Sequence, residues 1–172
     1  MNKPLQILSE KYVQMHQESA SSPEIDAIGN KIWRNANGQY HRLDGPTYIG
    51  ADGHKEWWIN GERHRLDGPA VEWADGSKDW YIDGKRHRID GPAVISPSGN
   101  QYWYRNGKRH RTTGPAIELA NGDTRWFLNG QRHRTDGPAV EYATGSKFYY
   151  LNDNETTVNH LIKLRLQKLN LI

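Results

Sequence analysis

Five histidines recur at a spacing of 23 residues, and each is followed directly by an arginine. In four of the five copies an aspartate follows three positions after the histidine, whereas the fourth copy has Thr113 there. Histidine and aspartate are the usual side chains for zinc binding and for general acid–base catalysis. The histidines are His41, His64, His87, His110 and His133.

The spacing argues against a shared metal site. If each repeat contributes two or three paired strands about 4.8 Å apart, equivalent histidines lie roughly 10–14 Å apart. Zinc requires its nitrogen ligands at about 2.0–2.1 Å, so successive histidines cannot bind one ion. A catalytic site also needs one unique constellation, which five equal copies do not provide. The sequence therefore predicts no metal ligands, no catalytic residues and no cofactor.

The histidines belong to a longer repeat that begins H-R-x-[D/T]-G-P, with a glycine at its thirteenth position and two aromatic residues at its seventeenth and eighteenth. Five copies fill residues 41–155 without insertion or deletion. A degenerate copy precedes them at residues 23–40, where Pro23 and Gly38 keep the phase and Gly29 falls one place short. The remaining segments are residues 1–22 and 156–172. Fixed periodicity of this kind is typical of repeat architectures.

Each repeat carries its own turn signals. Asx-Gly pairs such as Asp75-Gly76 and Asp83-Gly84 supply the positive φ angles of hairpin turns, and short runs rich in β-branched and aromatic residues lie between them. We expect an all-β protein of tandem β-hairpin repeats stacked as an elongated antiparallel meander or solenoid, with short terminal helices. In such stacks each repeat contacts its neighbours.

The W-Y-x-[N/D]-G core of these 23-residue strand–turn–strand units resembles MORN repeats and their variants. The leading H-R-x-D-G-P-A is similar to a version found in uncharacterised bacterial and phage proteins. The resemblance covers residues 41–155. It implies a scaffold that contacts proteins and sometimes lipids, and it implies no catalytic residues. The usual MORN centre, Y-x-G-x-[W/Y], is missing here, so a lipid function carries over poorly.

The two aromatic residues of each pair are adjacent and therefore point to opposite faces of a strand. Either both columns are structural, or one forms a hydrophobic binding strip. The arginine after each histidine forms a third column, which is either structural or exposed to a partner. As candidate partner-binding residues we select the second aromatics and these arginines: Trp58, Tyr81, Tyr104, Phe127 and Tyr150, with Arg42, Arg65, Arg88, Arg111 and Arg134.

Charge leaves two classes of partner open. The net charge is +3, but residues 41–155 carry sixteen basic and sixteen acidic side chains. Another protein is therefore the leading partner, bound by a scaffold or a stoichiometric inhibitor, and the resemblance implies a phage origin. Nucleic acid is the alternative, because basic and aromatic columns suit single strands. An enzyme is the third and least supported hypothesis.

The terminal segments differ in composition from the repeats. Scattered apolar residues from Leu5 to Met15 predict a short N-terminal helix that caps the stack. After Thr156 or Thr157, the apolar residues Val158, Leu161, Ile162, Leu166 and Leu169 predict an amphipathic helix. That helix either covers the last repeat, mediates self-association or touches a membrane surface. There is no cysteine and no long apolar run, so we expect a cytoplasmic protein, in the host cell if phage-encoded.

Overall fold

The computed structural model describes residues 22–171. The chain divides after Lys85 into two compact units, which are described separately. The sequence up to Lys85 forms these strands: β1 (Glu24–Ile25), β2 (Lys31–Ile32), β3 (Tyr48–Ile49), β4 (Lys55–Glu56), β5 (Trp58–Ile59), β6 (Glu62–Arg63), β7 (Val71–Glu72), β8 (Lys78–Asp79) and β9 (Tyr81–Ile82). Strand β10 (Lys85–Arg86) lies at the division.

The second unit contains the remaining elements and the single helix of the described residues. Its strands are β11 (Val94–Ile95), β12 (Gln101–Tyr102), β13 (Tyr104–Arg105), β14 (Lys108–Arg109), β15 (Ile117–Glu118), β16 (Thr124–Arg125), β17 (Phe127–Leu128), β18 (Gln131–Arg132), β19 (Val140–Glu141), β20 (Lys147–Leu151) and β21 (Asn154–Thr156), followed by helix α1 (Val158–Lys168).

Each repeat builds two hairpins. In the first hairpin β7 pairs with β8 in antiparallel register, with Val71 opposite Asp79. The start of this hairpin also pairs with the preceding repeat, since Glu56 lies opposite Val71. The second hairpin is a separate two-stranded sheet, in which Trp58 lies opposite Arg63. Two sheet strands per repeat therefore run in sequence order within each unit, and the predicted all-β hairpin-repeat fold is confirmed.

The two turns of a repeat have different backbone conformations. At the second turn both residues have positive φ, 49° at Asn60 and 81° at Gly61, as a two-residue type I′ hairpin requires. At the first turn the glycine alone has positive φ, 88° at Gly76. There the carboxylate of Asp75 accepts a hydrogen bond from the Ser77 amide at 2.8 Å, which is an Asx-turn.

The degenerate copy adopts the same hairpins. Strands β1 and β2 pair as the later first hairpins do, and an isolated bridge between Arg34 and Tyr40 stands where Trp58 and Arg63 pair in the next repeat. Aromatic and basic residues have exchanged strands, yet the guanidinium of Arg34 still lies 4.6 Å from the ring centre of Tyr40. Between Trp33 and His41 there is one residue more than between Trp57 and His64. The phase slip therefore lies in the turn that ends at Gly38.

Few apolar side chains in the repeats are fully buried. One small residue per repeat is fully buried, directly after the Gly-Pro pair; these residues are Thr47, Ala70, Ala93, Ala116 and Ala139. In the second unit Ala116, Ile117 and Phe127 form a core cluster, with Tyr102, Trp103 and Leu119 packed against it. Such a core needs little apolar material, because each repeat covers its neighbour.

The C-terminal helix begins after Thr157, whose hydroxyl accepts a hydrogen bond from the amide of His160. The sequence prediction of a helix here is confirmed. Its predicted apolar face is mostly exposed: Leu161 is buried and Leu166 half-buried, whereas Val158, Ile162 and Leu169 are exposed. The predicted N-terminal helix falls on residues 1–22, of which all but the last lie outside the described residues.

Candidate functional site

In four of the five H-R-x-[D/T]-G-P loops the arginine guanidinium lies over a tryptophan ring. The Cζ atom of Arg65 is 3.9 Å from the ring centre of Trp57. Its Nε donates to Asp67 at 2.9 Å, and its Nη1 donates to the carbonyl of Pro69 and to Glu72, both at 3.1 Å. The same stack recurs at Arg42 on Trp33, Arg111 on Trp103 and Arg134 on Trp126.

The glycine of the Asp-Gly-Pro sequence is explained by this stack. A Cβ atom at Gly68 would lie 2.9 Å from the Arg65 Cζ atom, closer than real side chains approach. Its backbone φ lies outside the left-handed region, so conformation does not require glycine there. The guanidinium therefore lies between a tryptophan ring on one side and a glycine backbone on the other. Equivalent close approaches occur at Gly45, Gly91, Gly114 and Gly137.

The loop aspartates are held in their charged form. Hydrogen bonding and charge from Arg65 lower the pKa of Asp67 below its usual value, and Arg88 does the same to Asp90. At Asp136 the hydrogen bond from Arg134 is again the main cause of a lowered pKa, and Arg165 of α1 adds to it. The arginine column that sequence analysis selected is thus neutralised within its own loops, and its role toward a partner stays a prediction.

Each repeat histidine forms a hydrogen bond with the type I′ turn that follows it in the chain. The Nδ1 atom of His64 lies 2.8 Å from the Asp83 carboxylate, and His87, His110 and His133 contact the side-chain oxygens of Asn106, Asn129 and Asn152 in the same way. At His41, Nδ1 accepts a hydrogen bond from the Asn60 amide at 3.1 Å. Each histidine thus links two successive hairpins. Within residues 22–171, no group of three or more His, Asp or Glu side chains could hold a metal ion.

The second aromatics pack against another arginine column, which sequence reasoning missed. Arg63 lies over Trp58 at 5.0 Å and over Tyr81 at 5.5 Å. In the second unit the rings of Tyr104, Phe127 and Tyr150 lie under Arg86, Arg109 and Arg132. Phe127 is buried, and the other four second aromatics are half-buried. The role of the second aromatics in binding a partner stays a prediction.

The sixteenth position of the repeat varies in charge. Glu56 accepts hydrogen bonds from Arg63 at 3.0 and 3.2 Å, from the Trp58 indole at 2.7 Å, and contacts His54 at 2.9 Å. Burial raises the pKa of Glu56, but these partners outweigh it and hold the pKa below its usual value. Later repeats carry Tyr102 and Arg125 at this position in place of the acid. Among the described residues, Arg125 and Arg109, the last residue of its repeat, each have a buried Nε atom with no hydrogen-bond acceptor.

Clefts open between successive loops. In the first unit a cleft of about 860 Å³ lies between the Arg42–Pro46 loop and the His64–Asp67 loop. Trp57, Ile59, Leu43, Pro46 and Leu66 give it an apolar lining. Two smaller clefts in the second unit, of about 460 and 280 Å³, lie at Trp103 and at Trp126. The predicted loop arginines line these clefts, but the rings there are first aromatics rather than the second aromatics chosen from sequence.

The third residue of each loop differs along the chain. Leu66 and Ile89 are large apolar residues with 82% and 76% of their surface exposed, whereas the last two loops carry Thr112 and Thr135. Residues 41–85 carry six Lys/Arg and nine Asp/Glu, and residues 86–132 carry eight and three. The loops therefore share one frame but differ in apolar surface and charge.

Comparison with protein-family models and with curated proteins gives no match to this chain. Of the described residues, no helix has the length and apolar character needed to cross a membrane.

Proposed function

We propose that this chain is a non-catalytic, MORN-like repeat module that binds another protein, as a scaffold or a stoichiometric inhibitor of phage origin acting in the cytoplasm. The observation that carries the proposal is the exposure of Leu66 and Ile89 at loop tips, with Leu66 lining the apolar cleft. Single exposed apolar residues are ordinary, but Leu66 extends an apolar cleft into a contiguous apolar surface, which is typical of an interaction site.

The state of the reactive side chains supports this proposal over an enzyme. Each loop arginine is hydrogen-bonded to its own loop and four of the five are stacked on a ring, while the Nδ1 atom of each histidine is bound to a turn. A catalytic base needs hydrogen-bonding reach to a substrate, and the Nδ1 atoms of these histidines already have partners within the fold. The repeated H-R-x-[D/T]-G-P frame therefore builds the surface, and the varying positions on it are left to contact a partner.

A specific observation favours binding of an anionic polymer by the second unit as a second candidate. Within the described part of the chain, Arg105, Lys108, Arg109 and Arg125 form no ion pair with a carboxylate. They lie in the segment with eight basic and three acidic side chains. A local excess of positive charge is the basis of non-specific phosphate affinity.

The test of the leading proposal is affinity capture from a lysate of the encoding organism with a double variant, Leu66→Thr with Ile89→Thr. Threonine stands at the same loop position in Thr112 and Thr135, so the fold tolerates it. We expect the wild type and a control variant at another exposed isoleucine, Ile28→Thr, to retain one protein stoichiometrically, and the double variant to lose it. Unchanged capture by the double variant would refute the proposal.

The second candidate is tested by binding to a single-stranded oligonucleotide. Affinity that falls about a thousandfold or more between 50 and 200 mM salt indicates several phosphate contacts. The double variant Arg109→Gln with Arg125→Gln should then reduce affinity, while Leu66→Thr should leave it unchanged. Affinity that is insensitive to salt would eliminate this candidate.

A further inference from the structure

We infer that the cleft of the first unit binds a basic, proline-containing segment of a partner protein in the polyproline II conformation. This inference rests on the proposed protein-binding function and names the class of segment that is bound. The cleft is the one lined by Leu43, Pro46, Trp57, Ile59 and Leu66.

The width of the cleft decides the conformation of its occupant. Its two walls are equivalent loops of successive repeats, and each repeat adds two sheet strands. Equivalent atoms of the walls are therefore about 9.5 Å apart, from two strand spacings of about 4.8 Å. Because the walls themselves fill part of that distance, an α-helix of about 10 Å diameter does not fit. A single side chain or a proline ring does fit.

The walls offer apolar surface, and their basic side chains are already bonded within the loops. Arg42 is bound to Asp44 and to the Pro46 carbonyl, Arg65 to Asp67 and the Pro69 carbonyl, and His64 to Asp83. A polyproline II segment keeps its backbone solvated and packs its rings on aromatic and aliphatic surface, here Trp57 and Leu66.

The rim of the cleft carries three exposed carboxylates. The side chains of Asp44, Asp67 and Asp83 have 75%, 82% and 73% of their surface exposed. Arg65 lowers the pKa of Asp67, which keeps that carboxylate charged. Residues 41–85 have three more acidic than basic side chains. Arg42 and Arg65 offset two of these carboxylates, so the rim keeps one net negative charge, which a lysine or arginine flanking the buried proline ring would complement.

The clefts also recur at a spacing that suits this conformation. In the second unit the two clefts share Arg111 and Thr112, so they belong to consecutive loops. Three residues of a polyproline II helix advance about 9.3 Å and return to the same face. That advance matches the repeat spacing of about 9.5 Å. A segment with one apolar residue at every third position can therefore follow consecutive loops.

The test uses the full chain and three fluorescein-labelled peptides at 150 mM salt, followed by fluorescence anisotropy. The probe is (Pro-Pro-Lys)₄. One control, (Pro-Pro-Glu)₄, keeps the conformation and reverses the charge, and the other, (Gly-Ser-Lys)₄, keeps the charge and lacks the conformation. We expect the probe to bind at least tenfold more tightly than either control. Leu66→Thr should weaken the probe at least fivefold, whereas Ile28→Thr outside the cleft should not change its affinity.

Equal binding of the probe and (Gly-Ser-Lys)₄ would overturn the inference, since charge alone would then explain it. An unaltered affinity in Leu66→Thr would also overturn it. If the peptides fail to bind while capture of a protein still depends on Leu66 and Ile89, the inference is wrong and the proposed function stands. If capture itself is insensitive to both residues, the proposed function fails.

Discussion

Replacing Gly114 with alanine tests the arginine stack, because the sign of the change in the free energy of unfolding depends on whether the Arg111 side chain is present. The new Cβ atom would lie 2.8 Å from the Arg111 Cζ atom, whereas ordinary contacts begin at 3.4 Å. The guanidinium would have to move by about 0.6 Å, the difference between these two distances. It cannot retreat, since Trp103 lies on its other side at 3.9 Å.

The magnitude follows from the contacts that would be lost. A cation–π contact contributes about 0.5–2 kcal/mol, depending on its exposure. The hydrogen bonds from Arg111 to the Pro115 carbonyl and to Glu118 are partly exposed, and such a bond contributes about 0.2–1 kcal/mol. We therefore expect Gly114→Ala to lower the free energy of unfolding by about 1–2 kcal/mol. Urea unfolding followed by tryptophan fluorescence measures this change.

The matched control is the same substitution in an Arg111→Ala background. There the clash is absent, and the φ of Gly114 lies outside the left-handed region. Alanine at a compatible glycine position usually stabilises by about 0.4–1 kcal/mol, because it restricts the unfolded chain. The substitution should thus be neutral or stabilising in that background. An equal loss in both backgrounds would show that the cost comes from the backbone and would refute the stacking argument.

Three further predictions concern other contacts of the frame. Glu56→Ala should lower the free energy of unfolding by about 3 kcal/mol, because it leaves the partly buried Arg63 unpaired, and Glu56→Gln should cost less; equal costs would contradict the charge argument. Asn106→Ala should destabilise more than Asn106→Gly in urea unfolding, by about 1 kcal/mol, because residue 106 has a φ of 50°. Asp67 and Asp136 have folded pKa values below the unfolded value of about 3.9, so their contribution to stability is present above that value and is lost as the pH falls through the folded pKa. At pH values below about 4, the urea concentration at the unfolding midpoint should therefore decrease. The variant Asp67→Thr, which copies Thr113, should show a smaller decrease.

The hairpins could be predicted from sequence because their signals are local. Asx-Gly pairs fix the type I′ turns at Asn60 and Asn106, where both turn residues have positive φ. The 23-residue period then places every strand between two turns. The sequence also shows a phase slip between Pro23 and Gly38, because Gly29 falls one place short, but it does not show that the extra residue lies in the turn that ends at Gly38.

The stacked arginines could not be predicted, because they depend on contacts between loop and strand. The Asp-Gly-Pro glycine resembles a turn residue in sequence, yet its role is to admit the guanidinium of an arginine three residues earlier. The second arginine column was missed for the same reason: Arg63 lies next to Trp58 only after the hairpin has formed. The clefts require two successive loops side by side, so sequence alone pointed to the second aromatics instead.

The distribution of fixed and varying residues bears on where partner specificity lies. The loop arginine packs between a glycine and a tryptophan, and the loop histidine bonds to the next turn, so a change at any of these residues alters the frame before it alters a partner contact. The third loop position is not restricted to one residue type in this way, since the five loops carry leucine, isoleucine or threonine there. A protein that evolves a new partner on this fold can therefore change that position at little cost in stability. Exchanging Leu66 with Thr112 should then move apolar binding from one cleft toward the other while the free energy of unfolding stays within about 0.5 kcal/mol, as for surface substitutions in general.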